Sequence, residues 1–156
     1  ESMGGMLALY LASEHPEIIA VVTYAPAMIT PSSSSKWQIQ ILSWFKPYMP
    51  KPQRPPNITD ERTKSYTVNP LKAVTQFLDL QQETRRRLPR ISQPILNIQG
   101  RLDAVIDPRN GDVIFQEVKS QIKEMHWLEN STHVLILDQE WERAAELTLN
   151  FIQTIE

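Results

Sequence analysis

Two short runs of apolar residues, Ile18–Tyr24 (IIAVVTY) and Ile95–Gln99 (ILNIQ, led in by Pro94), constrain the fold most tightly. Continuous apolar, β-branched runs of this length suit strands buried on both faces of a parallel sheet. A third candidate strand with weaker patterning is Glu124–Leu128 (EMHWL). Helical periodicity fills the chain around them. Ser2–Glu14 carries Met3, Met6, Leu7, Leu9, Tyr10 and Leu11, a largely buried helical pattern stopped by Pro16. Asp112–Ile122 follows Pro108, and Gln139–Ile155 is amphipathic. Helix and strand in alternation predict an α/β fold, and right-handed crossovers make its sheet parallel.

The alternation stops between about Ile29 and Pro89. That stretch is too long for an ordinary connection and needs structure of its own. It opens with the serine run Ser32–Ser35 and continues as an apolar helix bearing Trp37, Ile39, Ile41, Leu42, Trp44 and Phe45. It then passes five prolines between Pro47 and Pro56 and ends in a second helix, Pro70–Leu88. The expected organisation is an α/β core from residues 1–29 and 90–156, with residues 30–89 inserted over one end of the sheet.

Composition excludes several classes of function. The 156 residues hold 16 basic and 18 acidic side chains, a formal net charge of -2, which gives no electrostatic reason to expect nucleic acid. The run Arg85–Arg87 with Arg90 is read as a solvated helix end complementing the dipole. No stretch approaches the roughly 18 apolar residues of a membrane span. The absence of cysteine rules out a disulfide scaffold, a zinc–thiolate site and a cysteine nucleophile. A reducing setting, the cytoplasm, is expected, and nothing at the start of the sequence suggests export. Glycine is scarce, four where an average composition of roughly 7% would give about eleven. A chain so sparing with glycine places each one for a backbone reason.

Three short motifs follow strands or open helices, where ligands bind in open α/β sheets. Glu1-Ser2-Met3-Gly4-Gly5 matches the last four positions of G-x-S-x-G, the turn that holds a nucleophilic serine between strand and helix, with one glycine more. Ser2 could equally be a helix N-cap. Gly100-Arg101-Leu102-Asp103 follows the ILNIQ strand, and a carboxylate there can orient a histidine and stabilise its imidazolium. It could also be a turn aspartate. Its rival Asp107 precedes Pro108 and has the form of a helix cap. Asn130-Ser131-Thr132-His133-Val134 is a polar turn after EMHWL. His126, within a strand, reads as structural, and His15, at a helix end, as a dipole partner. No two histidines have metal-ligand spacing, and the sequence lacks G-x-G-x-x-G and G-K-[ST] phosphate loops.

Serine, aspartate and histidine in that order, each after a strand, give the chain order of α/β-hydrolases rather than those of chymotrypsin or subtilisin. On E-S-M-G-G, V-V-T-Y-A-P-A, G-R-L-D-A-V-I-D-P and N-S-T-H-V-L-I-L-D-Q-E the sequence resembles the carboxyl-terminal part of an α/β-hydrolase. The branch it resembles is that of small bacterial carboxylesterases and monoacylglycerol lipases, over essentially the whole chain.

The resemblance implies Ser2 as nucleophile, Asp103 as triad acid and His133 as general base, with the Met3 N–H as one oxyanion donor. It implies that the insertion is a helical cap, in which Trp37, Ile41, Trp44, Phe45 and Met49 offer surface to an acyl chain or simply pack the cap onto the core. It further implies a small acyl ester as substrate and no metal or organic cofactor; the charge balance argues for no nucleic acid, and the lack of a basic face on the Trp-rich helix for no stable membrane anchoring. Family members carry several strands and helices before the serine turn, including the loop of the second oxyanion donor. The chain is therefore expected to lack the amino-terminal half of its own fold. An acyl thioesterase, or an inactive α/β-hydrolase-fold binding module, are the competing readings.

Overall fold

A computed structural model describes residues 1–29, 36–51 and 66–155. In chain order the elements are α1 (Ser2–Glu14), β1 (Val21–Tyr24), α2 (Lys36–Phe45), β2 (Tyr48–Pro50), β3 (Val68–Pro70), α3 (Leu71–Arg87), β4 (Ile95–Gly100), α4 (Asn110–Glu117), β5 (Lys123–Leu128) and α5 (Trp141–Thr154). Single 3-10 turns occupy Leu88–Arg90 and Leu135–Leu137. The expected parallel sheet is present, in the order β1-β4-β5. The contacts divide into two units, Glu1–Pro31 with Gln81–Glu156, and Ser32–Leu80. The boundary thus falls inside α3, and not near Pro89. The serine run Ser32–Ser35 and the prolines from Pro52 onward lie outside the described residues.

In the first unit, β4 is buried at all six positions, as the central strand of a covered parallel sheet must be. Thr23 of β1 and Asn97 of β4 are paired in register, and the Thr23 hydroxyl donates to Asn97 Oδ1 at 3.0 Å. α1 and α4 lie on this face. A Cβ added at Gly5 would meet Pro26 Cβ at 3.1 Å and Thr23 Cβ at 3.6 Å. One at Gly111 would stand 2.9 Å from Met125 Sδ. Both glycines therefore allow a helix to approach the sheet closely. α5 covers the other face, where the Tyr24 and Thr148 hydroxyls meet at 2.6 Å. Its buried stripe is Ala144, Leu147 and Phe151, at helical spacing. Phe151 is fully buried, a contribution of about 1.5–3 kcal/mol.

Three expectations are corrected. β1 begins at Val21, not Ile18, and Ile19 is 84% exposed. The Val21 N–H donates to Pro94 O, and Pro94 has no N–H to return, so the ladder starts there. α1 is buried along Gly5, Met6, Leu9 and Ala12, while Met3, Leu7 and Leu11 form an exposed apolar stripe. α4 ends at Glu117 instead of Ile122, because the chain turns extended at Val118 and Lys119 N–H pairs with Ile91 O. Lys123 Nζ then donates to the carbonyls of Phe115 and Val118 and satisfies the helix end.

Each arginine at the end of α3 faces a carboxylate: Arg85 with Glu117, Arg86 with Glu83, Arg87 with Glu83 and Glu14, and Arg90 with Glu14. The cluster is a surface network of four arginines and three glutamates.

The second unit contains the helix α2 and an antiparallel pair that the sequence did not suggest, β2 with β3. Pro50 and Pro70 stand at the strand ends, where a missing N–H costs least. The pair is extended by Lys51 N–H to Thr67 O and Leu71 N–H to Pro47 O. Along α2 only Ser43 is buried. Trp37, Ile41, Trp44 and Phe45 are exposed, Phe45 by 82%, and Met49 of β2 is exposed as well.

Candidate active site

The turn from Glu1 into α1 fixes the position of Ser2. Ser2 has φ of 52°, and with Ala25 it makes up the positive-φ residues of the described chain. A non-glycine residue held there stores about 1–3 kcal/mol of backbone strain and needs its surroundings to enforce it. The enforcement comes from the turn after β1. Ala27 N–H donates to Ser2 O at 3.1 Å, and Ala25 N–H to Ile98 O at 2.8 Å. The N-cap position of α1 is taken by Glu1, which makes no side-chain cap, and not by Ser2. Its hydroxyl is aimed elsewhere.

That hydroxyl meets His133 Nε2 at 2.8 Å, and His133 Nδ1 meets Asp103 Oδ2 at 2.8 Å. A carboxylate can only accept, so the ring proton sits on Nδ1, and Nε2 is left with a lone pair for the Ser2 O–H. Asp103 is itself held. Its Oδ1 accepts the N–H groups of Val105 at 2.7 Å and Ile106 at 3.2 Å, which leaves Oδ2 pointing at the ring. The Asp103 and His133 side chains are only 6% and 9% exposed. In so dry a setting their mutual attraction is weakly screened. Two of the three side chains singled out from the sequence, Ser2 and Asp103, are thus each within hydrogen-bond reach of the third, His133.

Asp107 is engaged differently. Its Oδ1 accepts the Arg109 N–H and Nε–H, and its Oδ2 accepts the Arg109 Nη2–H at 2.7 Å. The side-chain bonds from Arg109, then its backbone N–H, hold the Asp107 carboxyl at about 2, well below the ordinary 3.8. Asn110, fully buried, ties this loop to the turn after β1: Ile29 N–H donates to its Oδ1 at 2.7 Å and its Nδ2–H to Pro26 O. The loop carrying Asp103 and the turn supporting Ser2 are therefore one hydrogen-bonded piece.

The histidine loop is held on both sides by carboxylates that sequence reasoning missed. Asp138 Oδ2 accepts the Thr132 N–H and hydroxyl, at 2.6 and 2.5 Å. Glu140 Oε2 accepts the Asn130 N–H and the Ser131 hydroxyl, at 2.8 and 2.7 Å. Glu1 Oε1 accepts the Leu135 N–H at 2.8 Å. Burial of Asp138 works to raise its pKa, but its bonds from Thr132 and Gln139 outweigh that and hold it below 3.8. Two acidic residues spaced i, i+2 shortly after a polar turn were the available signal.

Met3 lies in the first turn of α1, where its N–H has no carbonyl four residues earlier in the helix to bond. His126 pairs with Glu124 at 3.0 Å on β5, and His15 with Glu17 at 2.9 Å at the end of α1. Neither joins Ser2. A separate surface hollow, lined by Phe115, Lys123, Glu124, Met125 and His126, holds none of the three site residues. Among the described residues no group of three or more His, Asp or Glu is arranged to hold a metal ion, and no helix is long and apolar enough to cross a membrane.

Known proteins share this arrangement of sequence and fold. A thermostable monoacylglycerol lipase from Bacillus sp. (strain H-257) is 32% identical over 150 residues, 96% of this chain and 59% of that protein. A carboxylesterase from Bacillus subtilis (strain 168) is 26% identical over 155 residues, 99% of this chain and 62% of its own length. A solved structure of the metagenome-derived lipolytic enzymes LipS and LipT superposes with a TM-score of 0.82 at 31% identity, covering 98% of this chain and 62% of that one. The chain thus spans about three fifths of the length of these relatives. The family model described as serine aminopeptidase, S33, matches residues 1–140. By that match, and by its parallel sheet and flanking helices, the chain belongs to the serine aminopeptidase S33 family of α/β-hydrolases.

Proposed function

We propose that the polypeptide carrying this chain is a serine hydrolase that cleaves carboxylic esters, of the carboxylesterase or monoacylglycerol-lipase kind. The observation that carries this reading is the unbroken line of two 2.8 Å contacts, Ser2 Oγ to His133 to Asp103 Oδ2. The lipase and carboxylesterase relatives support an ester over the peptide bond that the family's description suggests.

The chemistry follows from the proton positions. His133 Nε2 takes the Ser2 proton as Oγ attacks the ester carbonyl, and Asp103 steadies the imidazolium. The oxyanion is received by the Met3 N–H together with a second donor; in a known case loss of one such donor costs about 100- to 1000-fold in kcat. His133 gives its proton to the leaving alcohol. Water, deprotonated by the same ring, then releases the acid from Ser2.

Substrate choice is assigned to the second unit, read as a cap. Trp37, Ile41, Trp44, Phe45 and Met49 supply exposed apolar surface suited to a medium acyl chain.

The test is hydrolysis of p-nitrophenyl esters by the full-length polypeptide, with fluorophosphonate labelling at Ser2. Turnover and labelling are expected in the unsubstituted protein. Undiminished activity in Ser2→Ala would overturn the reading.

A further inference from the structure

Ser2 and His133 are 131 positions apart, and two cross-links join the segments that carry them. One is the bond between Ser2 Oγ and His133 Nε2. The other uses the neighbours: Glu1, one residue before the serine, accepts through Oε1 the N–H of Leu135, two residues after the histidine, at 2.8 Å. Leu135 is fully buried and opens a 3-10 turn, so its N–H faces away from water and has no acceptor within that turn. A buried donor left unpaired is costly, and a carboxylate is among the strongest acceptors it can find.

The two links behave differently during turnover. On the serine-hydrolase reading, on which this inference rests, the first link is lost once Ser2 Oγ is bonded to the acyl group. The second involves no reacting atom and survives every step. We propose that Glu1 is a positioning residue, which keeps the His133 loop in register with the serine turn while Ser2 is acylated. His133 is then still in place to deprotonate the water that releases the acid. Asp138 and Glu140 fix the loop to itself and to α5. Only Glu1 among these three carboxylates ties it to the nucleophile's own segment.

The prediction is a selective loss. In the full-length polypeptide, Glu1→Ala lowers kcat about tenfold, the scale set by one charge-assisted hydrogen bond, and lowers KM with it, so that kcat/KM stays within about twofold. Deacylation becomes limiting, so p-nitrophenol appears as a burst followed by a slow phase. Glu1→Gln retains an oxygen acceptor of the same reach and stays within about twofold of the unsubstituted kcat. A Glu1→Ala enzyme with unchanged kcat and no burst overturns the proposal, as does a Glu1→Gln enzyme equally impaired. Amide exchange at Leu135 tests the link without any activity: about tenfold faster in Glu1→Ala and near the unsubstituted rate in Glu1→Gln. Equal rates in all three proteins overturn it. Absence of ester turnover in the unsubstituted protein is a different result; it ends the hydrolase reading and leaves the exchange measurement to decide whether Glu1 holds the loop.

Discussion

Gly100 and Ser131 stand so close that no side chain fits between them. A Cβ on Gly100 would lie 2.8 Å from the Ser131 carbonyl carbon and closer still to the carbonyl oxygens of Ser131 and Thr132. The approach is enforced by Leu102 N–H to Ser131 O at 3.0 Å and Arg101 N–H to Leu128 O at 2.8 Å. The end of β4, which leads to Asp103, thus rests on the loop that leads to His133.

Gly100→Ala is therefore expected to damage activity and stability together. The obstructing atoms are backbone, so the loop must shift. Overpacking of this kind costs about 1–3 kcal/mol, read as a lower urea midpoint. A displacement of about 1 Å at His133 is expected to cost on the order of 100-fold in kcat. Undiminished kcat would mean that the loop position does not matter for the reaction.

Asp103 and Asp107 are separated by their partners, and substitution separates them functionally. Asp103→Asn removes the charge beside His133. In a known triad the same change lowers kcat about 10,000-fold, and a loss of that order is expected here. Asp107→Asn weakens an exposed pairing with Arg109 and is expected to leave kcat within about twofold. Equal losses at the two positions would remove the distinction.

Much of this was legible in the sequence because it depends on local signals. The helix Ser2–Glu14 ends where Pro16 stops it, and the strand Ile95–Gly100 has the apolar run expected for its burial and ends at its glycine. The order of three short motifs along the chain, with the family resemblance they carry, pointed to Ser2, Asp103 and His133. What escaped depends on long-range partners. β1 starts at Val21 because its neighbour starts at Ile95, which nothing in IIAVVTY reveals. The β2–β3 strands are three residues each and contain proline, so no periodicity could mark them. Glu1, Asp138 and Glu140 resemble ordinary surface acids until the N–H groups they accept from are known.

The strain at Ser2 is expected to be measurable as stability. Ser2→Ala and Ser2→Gly both remove the nucleophile, but only glycine tolerates φ of 52° without cost. The left-handed region costs other residues about 1–2 kcal/mol, partly offset by the greater unfolded-state entropy of glycine. Ser2→Gly is expected to melt about 2–4 °C above Ser2→Ala. An equal or lower Tm would show that the turn is not strained in solution.

Trp44 and Phe45 are 73% and 82% exposed, so trimming them should cost little stability. If the second unit receives the acyl chain, Trp44→Ala with Phe45→Ala raises KM for medium-chain p-nitrophenyl esters about tenfold or more and for the acetate ester hardly at all. A uniform effect on both esters would count against that assignment.

Asp138 gives the histidine loop a dependence on acid. Its carboxyl is held below 3.8 because the bonds from the Thr132 hydroxyl, Thr132 N–H and Gln139 N–H outweigh the opposing effect of burial. A depressed folded value means that the native state prefers the ionised form. The resulting stabilisation is complete above the unfolded value of 3.8 and is lost as pH falls through the lower folded value. In Asp138→Asn the hydrogen bonds are weaker and no charge titrates at this position. The stability difference between the unsubstituted protein and Asp138→Asn, measured by urea unfolding, should therefore be constant above about pH 5 and shrink steadily below about pH 4. A difference that stays the same down to about pH 2.5 would show that the ionised carboxylate does not hold Thr132, and with it the backbone on which His133 is carried.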